Sequence, residues 1–205
     1  GRFSLFANQY NRESKRYFIR YGLSGENYHY APDAYYNKLN PFVLIKFRED
    51  DLRNNHFSNL VIRQVYVNRE ASKFVTNAFE GNYSVFNLRY SDVKNEISDY
   101  FSYTTDLQLA SYFGKASTSI SYRKLFKGNR QVNLRFFAGV FMYNKTNSNY
   151  FSFALDRPTD YLFDYNYLGR SESSVLFSQE YIQAEGGFKS KLVQPLADSW
   201  MTTVN

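Results

Sequence analysis

Polar and apolar residues alternate almost without interruption from Tyr103 to Tyr143, and this period of two constrains the fold more than any other feature. Successive side chains of a strand point to opposite faces, so sustained alternation specifies a sheet with one apolar and one polar face. Tyr103, Thr105, Leu107, Leu109, Ser111 and Phe113 share one parity, and Thr104, Asp106, Gln108, Ala110 and Tyr112 the other. After Gly114-Lys115 the pattern resumes with Ala116, Thr118, Ile120, Tyr122 and Phe126 against Ser117, Ser119, Ser121 and Arg123. Glycine at the first place of a two-residue loop suits a type II′ turn. The sequence therefore predicts a three-strand meander turning first at Gly114-Lys115.

That turn pairs Leu109 with Ile120, Leu107 with Tyr122 and Asp106 with Arg123, and a slip of one residue would mix the faces. A three-residue loop from Gly128 to Arg130 then pairs Tyr122 with Phe136 and Ile120 with Ala138. Leu107, Leu109, Ile120, Tyr122, Phe136, Ala138 and Val140 fall on one apolar patch, which is expected to face lipid. Asp106, Arg123 and Arg135 fall on the opposite face as a lumen network. Arg123 sits opposite Arg135 in this register, and the two guanidinium groups need a second acid, for which Glu185 is the candidate. Ser117, Ser119 and Ser121 leave room for Phe137 and Phe141, so a partly filled interior is expected.

These strands run to ten residues or more, against about five or six in ordinary globular strands. A tilted strand needs about 9–11 residues to cross a bilayer. No apolar run reaches the roughly 18 residues of a spanning helix. Mean hydropathy is −0.54, as a barrel with half its strand residues facing water also gives. Aromatics make up 20% of the 205 residues, with 20 Tyr and 20 Phe against one Trp, and such residues favour strands and membrane interfaces. The fold class is thus all-β, an antiparallel up-and-down transmembrane barrel, with about nine or ten strands in residues 1–205.

Further strands are expected at 3–10, 17–23, 43–48, 59–68, 86–91 and 182–189, with a last one beginning at Trp200. Val61, Val65 and Val67 share parity with Arg63, which suggests a bulge. Residues 24–41 and 144–173 read as long loops, from their Gly, Asn, Pro, Ser and Asp content. The chain lacks an initial Met and ends without a terminal aromatic, so it reads as a segment truncated at both ends.

No catalytic, cofactor or metal constellation is present. His29 and His56 fit no H-x-x-x-H or H-E-x-x-H pattern, and P-loop, G-x-S-x-G and G-x-G-x-x-G are missing. Glu49, Asp50 and Asp51 read as a solvated turn. Asp156, Asp160 and Asp164 recur at four-residue spacing without an EF-hand pattern. Net charge is +6, but Lys and Arg are scattered, so nucleic acid is not an expected partner. The aromatics between Tyr150 and Tyr167 suit packing over a barrel mouth, with sugar stacking as the other reading.

Residues 42–55 (FVLIKFREDDLRNN), 65–70 (VYVNRE) and 83–90 (YSVFNLRY) carry a resemblance. They resemble the barrel region of Bacteroidota outer-membrane proteins, in particular the C-terminal barrel of large proteins with an aminopeptidase-like metallopeptidase domain. The resemblance implies a bacterial outer-membrane location and an anchoring role. The zinc-binding helix of that family is absent, so no catalytic residue carries over and the segment is not itself an enzyme. The expected function is a membrane anchor, or a component of an outer-membrane transport or assembly complex. Its partners would be outer-membrane lipid and other outer-membrane or surface proteins. The alternative is a secreted, soluble β-sandwich that binds glycan through surface Tyr and Phe.

Overall fold

A computed structural model describes residues 1–10, 17–48, 55–70, 81–128, 130–146, 148–156, 160–164, 184–188, 192 and 196–205. The strands are β1 (Arg2–Tyr10), β2 (Tyr17–Ala31), β3 (Ala34–Arg48), β4 (His56–Glu70), β5 (Gly81–Asn95), β6 (Asp99–Ala110), β7 (Phe113–Phe126), β8 (Arg130–Asn144), β9 (Phe153–Ala154), β10 (Leu196–Ala197) and β11 (Trp200–Val204), with a 3-10 turn at Asn149–Phe151. One sheet of nine antiparallel strands runs in the order β1-β2-β3-β4-β5-β6-β7-β8-β11, and β9 pairs with β10 separately. Chain order and sheet order coincide through β8, which is the up-and-down arrangement expected. Among the described residues β1 and β11 are edges and do not pair with each other.

The meander forms with its faces as expected except at Phe113, which leaves the face of Leu107 and Leu109 for the opposite one, and it turns elsewhere. Leu109 pairs with Gly114, Leu107 with Ala116 and Asp106 with Ser117, so Ser111-Tyr112 is the two-residue turn. Moving the turn by three residues changes each partner by six. An even shift leaves both faces intact. The gain is the burial of Phe113, which is fully enclosed instead of lying at a hairpin tip. Gly114 is needed for a different reason. A Cβ there would lie 2.5 Å from the Tyr143 ring, and the β7–β8 register slips between Gly114 and Lys115. The second loop has the expected three residues but spans 127–129, one place earlier, so that Ile120 meets Phe136 and Tyr122 meets Leu134.

Residues 24–41 are not a loop. They are the ends of β2 and β3, joined by the tight turn Pro32-Asp33. The Asn, Gly and Tyr residues that suggested a loop pair strand to strand, as Asn27 with Asn37 and Tyr28 with Tyr36. Pro41, which has no N–H to give, sits opposite Leu23 of β2. β4 needs no bulge at Arg63, because its pairing with β5 runs unbroken from His56 to Arg69. The expected strand at 182–189 is not found in its described part. Residues 184–188 form a turn whose Gly186 and Phe188 amides donate to Ala154 and Leu155 carbonyls.

The two faces have opposite fates. Every buried cluster lies on one, the covered face. There Val65, Val67, Tyr83, Val85 and Phe113 pack against Phe151, Tyr161 and Leu162. Phe137 and Met201 pack against Phe153. The other, open face carries the expected patch, with Leu107 opposite Ala116 and Ala116 opposite Val140. Phe136 is 38% and Val140 48% exposed, and no second sheet covers them among the described residues. The residues between 144 and 173 that are described do not hang outside the sheet. They lie across its covered face.

Candidate functional site

The covered face carries a polar ladder that runs across the strands. Register aligns Phe42, Arg63, Asn87, Gln108 and Lys115 in one row. The next row contains Val61, Arg89, Asp106, Ser117 and Gly139. Neighbouring residues in a row have Cβ atoms about 4.5–5.5 Å apart, within reach of polar side chains, so charges placed at this parity find each other without loops.

Asp106 is the centre of the ladder. Its side chain is about 10% exposed. It accepts from Asn87 Nδ2 at 2.8 Å, Gln108 Nε2 at 2.9 Å and Arg89 Nε at 2.5 Å. Arg63 Nε donates to Asn87 Oδ1 at 2.7 Å within the first row, and Asn87 and Gln108 link the two rows through Asp106. Both Asn87 amide functions are therefore used, and this fully buried side chain is satisfied.

The inserted segment, described at 148–156 and 160–164, closes over the ladder through three anchors. Arg63 grips the Asp164 carboxylate with both terminal nitrogens, at 2.9 and 2.6 Å, and Lys38 Nζ adds a contact at 2.8 Å. Burial alone would raise the Asp164 carboxyl, but the Arg63 guanidinium and the Lys38 ammonium outweigh it and hold it at about 2. The Tyr161 hydroxyl donates to Gln108 Oε1. Lys115 Nζ, fully enclosed, donates to the Phe151 carbonyl at 3.1 Å. It also lies 4.6 Å from the Tyr161 ring centre and 4.8 Å from that of Phe153. A buried ammonium is costly, and π faces with a carbonyl offset part of that cost.

The expected lumen residues divide here. Asp106 belongs to the ladder, but its cation is Arg89, not Arg123. With the turn at Ser111-Tyr112, Arg123 lies opposite Tyr100 and Asn133, with its guanidinium 5.5 Å from the Tyr100 ring centre. Arg135 lies opposite Ser121, not Arg123, and donates to the Ala184 carbonyl at 3.4 Å. Asp106 and Arg123 share a face but sit six positions apart along it, so the expected pair does not form. Glu185 does not serve Arg123 either; its carboxylate accepts from the Ala154 amide. Phe137 is opposite Ser119 instead of the expected Ser121, and Phe141 is opposite Lys115 instead of Ser117. Sequence reasoning missed Arg63, Asn87 and Arg89. The signal for Arg63 was there, a charge on the parity of three valines.

The geometry does not favour hydrolytic or metal chemistry at the other polar groups. His56 and Ser58 both bond the Asp92 carboxylate, at 3.0 and 2.6 Å. A nucleophilic triad needs the histidine between serine and acid, whereas here the acid lies between the other two. His29 packs against Tyr35 with the rings tilted, centroids 5.4 Å apart. Among Asp156, Asp160 and Asp164, the last is committed to Arg63 and Lys38, and no group of three metal-ligating side chains occurs among the described residues. Glu49, Asp50 and Asp51 lie outside the described residues, as does the Tyr165 to Tyr167 end of the aromatic run.

No family model, curated protein or solved structure matches this chain.

Proposed function

We propose that this chain is part of the wall of an outer-membrane β-barrel, filled by its own inserted segment, that anchors a larger protein or complex. The observation that carries the reading is the open face. The row Ala7, Tyr21, Val43, Ile62, Leu88, Leu107, Ala116, Val140, Trp200 crosses all nine strands with no charge. The next row, from Gln9 and Ile19 through Ile45 and Leu60 to Thr105, Ala138 and Thr202, is also uncharged. Charges begin further out, at Asp92 with its partner His56, and then at the pairs Lys94–Glu96 and Lys124–Asp99. An apolar band with aromatic rims outside and polar side chains inside is the pattern of a transmembrane barrel.

A soluble sandwich would reverse this arrangement, with the apolar face covered by a second sheet. The only second pair among the described residues, β9–β10, lies on the polar face. Tyr161 and Phe151, which a glycan-binding surface would expose, are 4% and 1% exposed. The charged ladder beneath them leaves a packed interior, which suits an anchor rather than an open channel. Flotation with phospholipid vesicles through a density gradient tests the reading. The membrane-wall account expects the folded chain in the lipid fraction after a high-salt wash. A chain that stays soluble and folded at the bottom of the gradient refutes it.

A further inference from the structure

A groove of about 530 Å³ opens at the sheet end that carries the Pro32-Asp33 and Ser111-Tyr112 turns. It runs across β3, β4 and β5 to Tyr112. Parity decides which groups face it. Asn37, Asn68 and Asn82 are register partners on the open face, and Leu39 pairs with Tyr66 one step nearer the apolar band. Lys38, Val67 and Tyr83 line it with backbone only. The Lys38 ammonium is bound to the Phe163 carbonyl on the covered face, and Val67 and Tyr83 belong to the core.

The asparagine row extends to Asn27 on β2, whose amide donates to Asn37. Side-chain carboxamides carry two donors and one acceptor oxygen each. A row of them inside hydrocarbon would be costly to leave unpaired, so it belongs in the headgroup layer just beyond Leu39 and Tyr66. Tyr66 and Tyr112 stand beside it, half exposed, offering flat apolar rings with polar tips. Lys38 is the one basic residue among those lining the groove, and its ammonium is engaged on the covered face by Asp164 and the Phe163 carbonyl, so no cation of the described residues faces it. Phosphate recognition would call for one.

We propose that this groove holds the neutral sugar headgroup of a glycolipid in the leaflet at that end of the sheet. The carboxamides of Asn37, Asn68 and Asn82 bond its hydroxyls, Tyr66 and Tyr112 pack against its ring faces, and its acyl chains run down past Leu39 along the apolar band. The inference rests on the membrane-wall reading above and narrows it to a lipid class.

The test is lipid capture. The full chain is reconstituted in nanodiscs of phosphatidylcholine doped with equal small fractions of a diglycosyl diacylglycerol and phosphatidylglycerol. It is then extracted in mild detergent, and the retained lipid is counted by native mass spectrometry. The glycolipid should be enriched roughly ten-fold over both phospholipids, the factor expected of one or two net hydrogen bonds. Asn68→Ala with Asn82→Ala, and separately Tyr112→Ala, should abolish the enrichment while flotation and circular dichroism stay as in the parent. Failure to enter nanodiscs overturns the membrane reading and this inference together. Insertion with no enrichment, equal capture of phosphatidylglycerol, or enrichment unchanged in both variants overturns the inference alone. Competition by the free disaccharide at the same concentration as the glycolipid would also overturn it, in favour of a soluble glycan ligand.

Discussion

Replacing Leu88 by Arg separates a membrane wall from a soluble sheet. Leu88 lies on the open face of β5, paired with Ile62 on one side and Leu107 on the other. On the same face of β5, Ser84 and Asp92 are the nearest polar residues, each four positions away. At about 3.4 Å per residue that is ~14 Å along the strand, or about 10 Å of depth for a strand tilted 35–45°. Leu88 thus sits near the middle of the apolar band. Arg at a bilayer midplane costs about 2–4 kcal/mol, falling to about 0–1 near the interface. On a water-exposed surface the same change stays within about 0.5 kcal/mol. Urea unfolding in phospholipid vesicles, followed by tyrosine fluorescence, measures the difference, with Ser84→Arg as the boundary control. The reasoning fails if Leu88→Arg and Ser84→Arg unfold at the same urea concentration as the parent.

Four further outcomes follow from the covered face. Asp164 is held at about 2 against about 3.9 in an unfolded chain, so its ion pairs stabilise fully above about pH 4 and are lost as pH falls through 2. With its side chain 28% exposed, the contribution is about 1–2 kcal/mol, and Asp164→Asn should remove the corresponding loss in acid unfolding between pH 4 and 2. Asp106→Ala leaves Arg89, Asn87 and Gln108 without their shared acceptor and should cost about 2–3 kcal/mol in the same urea assay. Arg123→Ala should change stability by less than about 0.5 kcal/mol; a cost equal to that of Asp106→Ala would restore the pairing expected from the sequence. Gly139→Ala puts a Cβ 2.7 Å from the Phe153 ring and should cost about 1–3 kcal/mol in thermal unfolding.

The sequence made the faces legible more than the turns. Parity survives any even shift of register, so the pattern puts Leu107, Ile120 and Val140 on one face although the glycine signal lies three residues past the true turn. Gly114 misled because glycine also serves close approach, here to Tyr143, and Ser111-Tyr112 carries no glycine or asparagine to mark it. Asn27, Asn37 and Pro41 misled in the other direction, since residues typical of turns also fill strand ends that leave the apolar band. The ladder was half visible. Asp106 stood out as an acid at polar parity, but its partner Arg89 lies on the preceding strand, which the hairpin argument did not reach. Asp164 sits about a hundred residues from Arg63, and no local pattern links them.

The central claim is that the open face meets hydrocarbon while the polar face does not. The chain has no cysteine, so single cysteines at Val43, Leu88, Val140 and Ser119 can each carry a fluorophore in vesicles that contain bromine-labelled acyl chains. The account predicts strong quenching by the brominated lipid at Val43, Leu88 and Val140, and little at Ser119 on the polar face. Equal quenching at all four positions, or full access of a water-soluble quencher to Leu88 and Val140 in the folded, vesicle-bound chain, would contradict it.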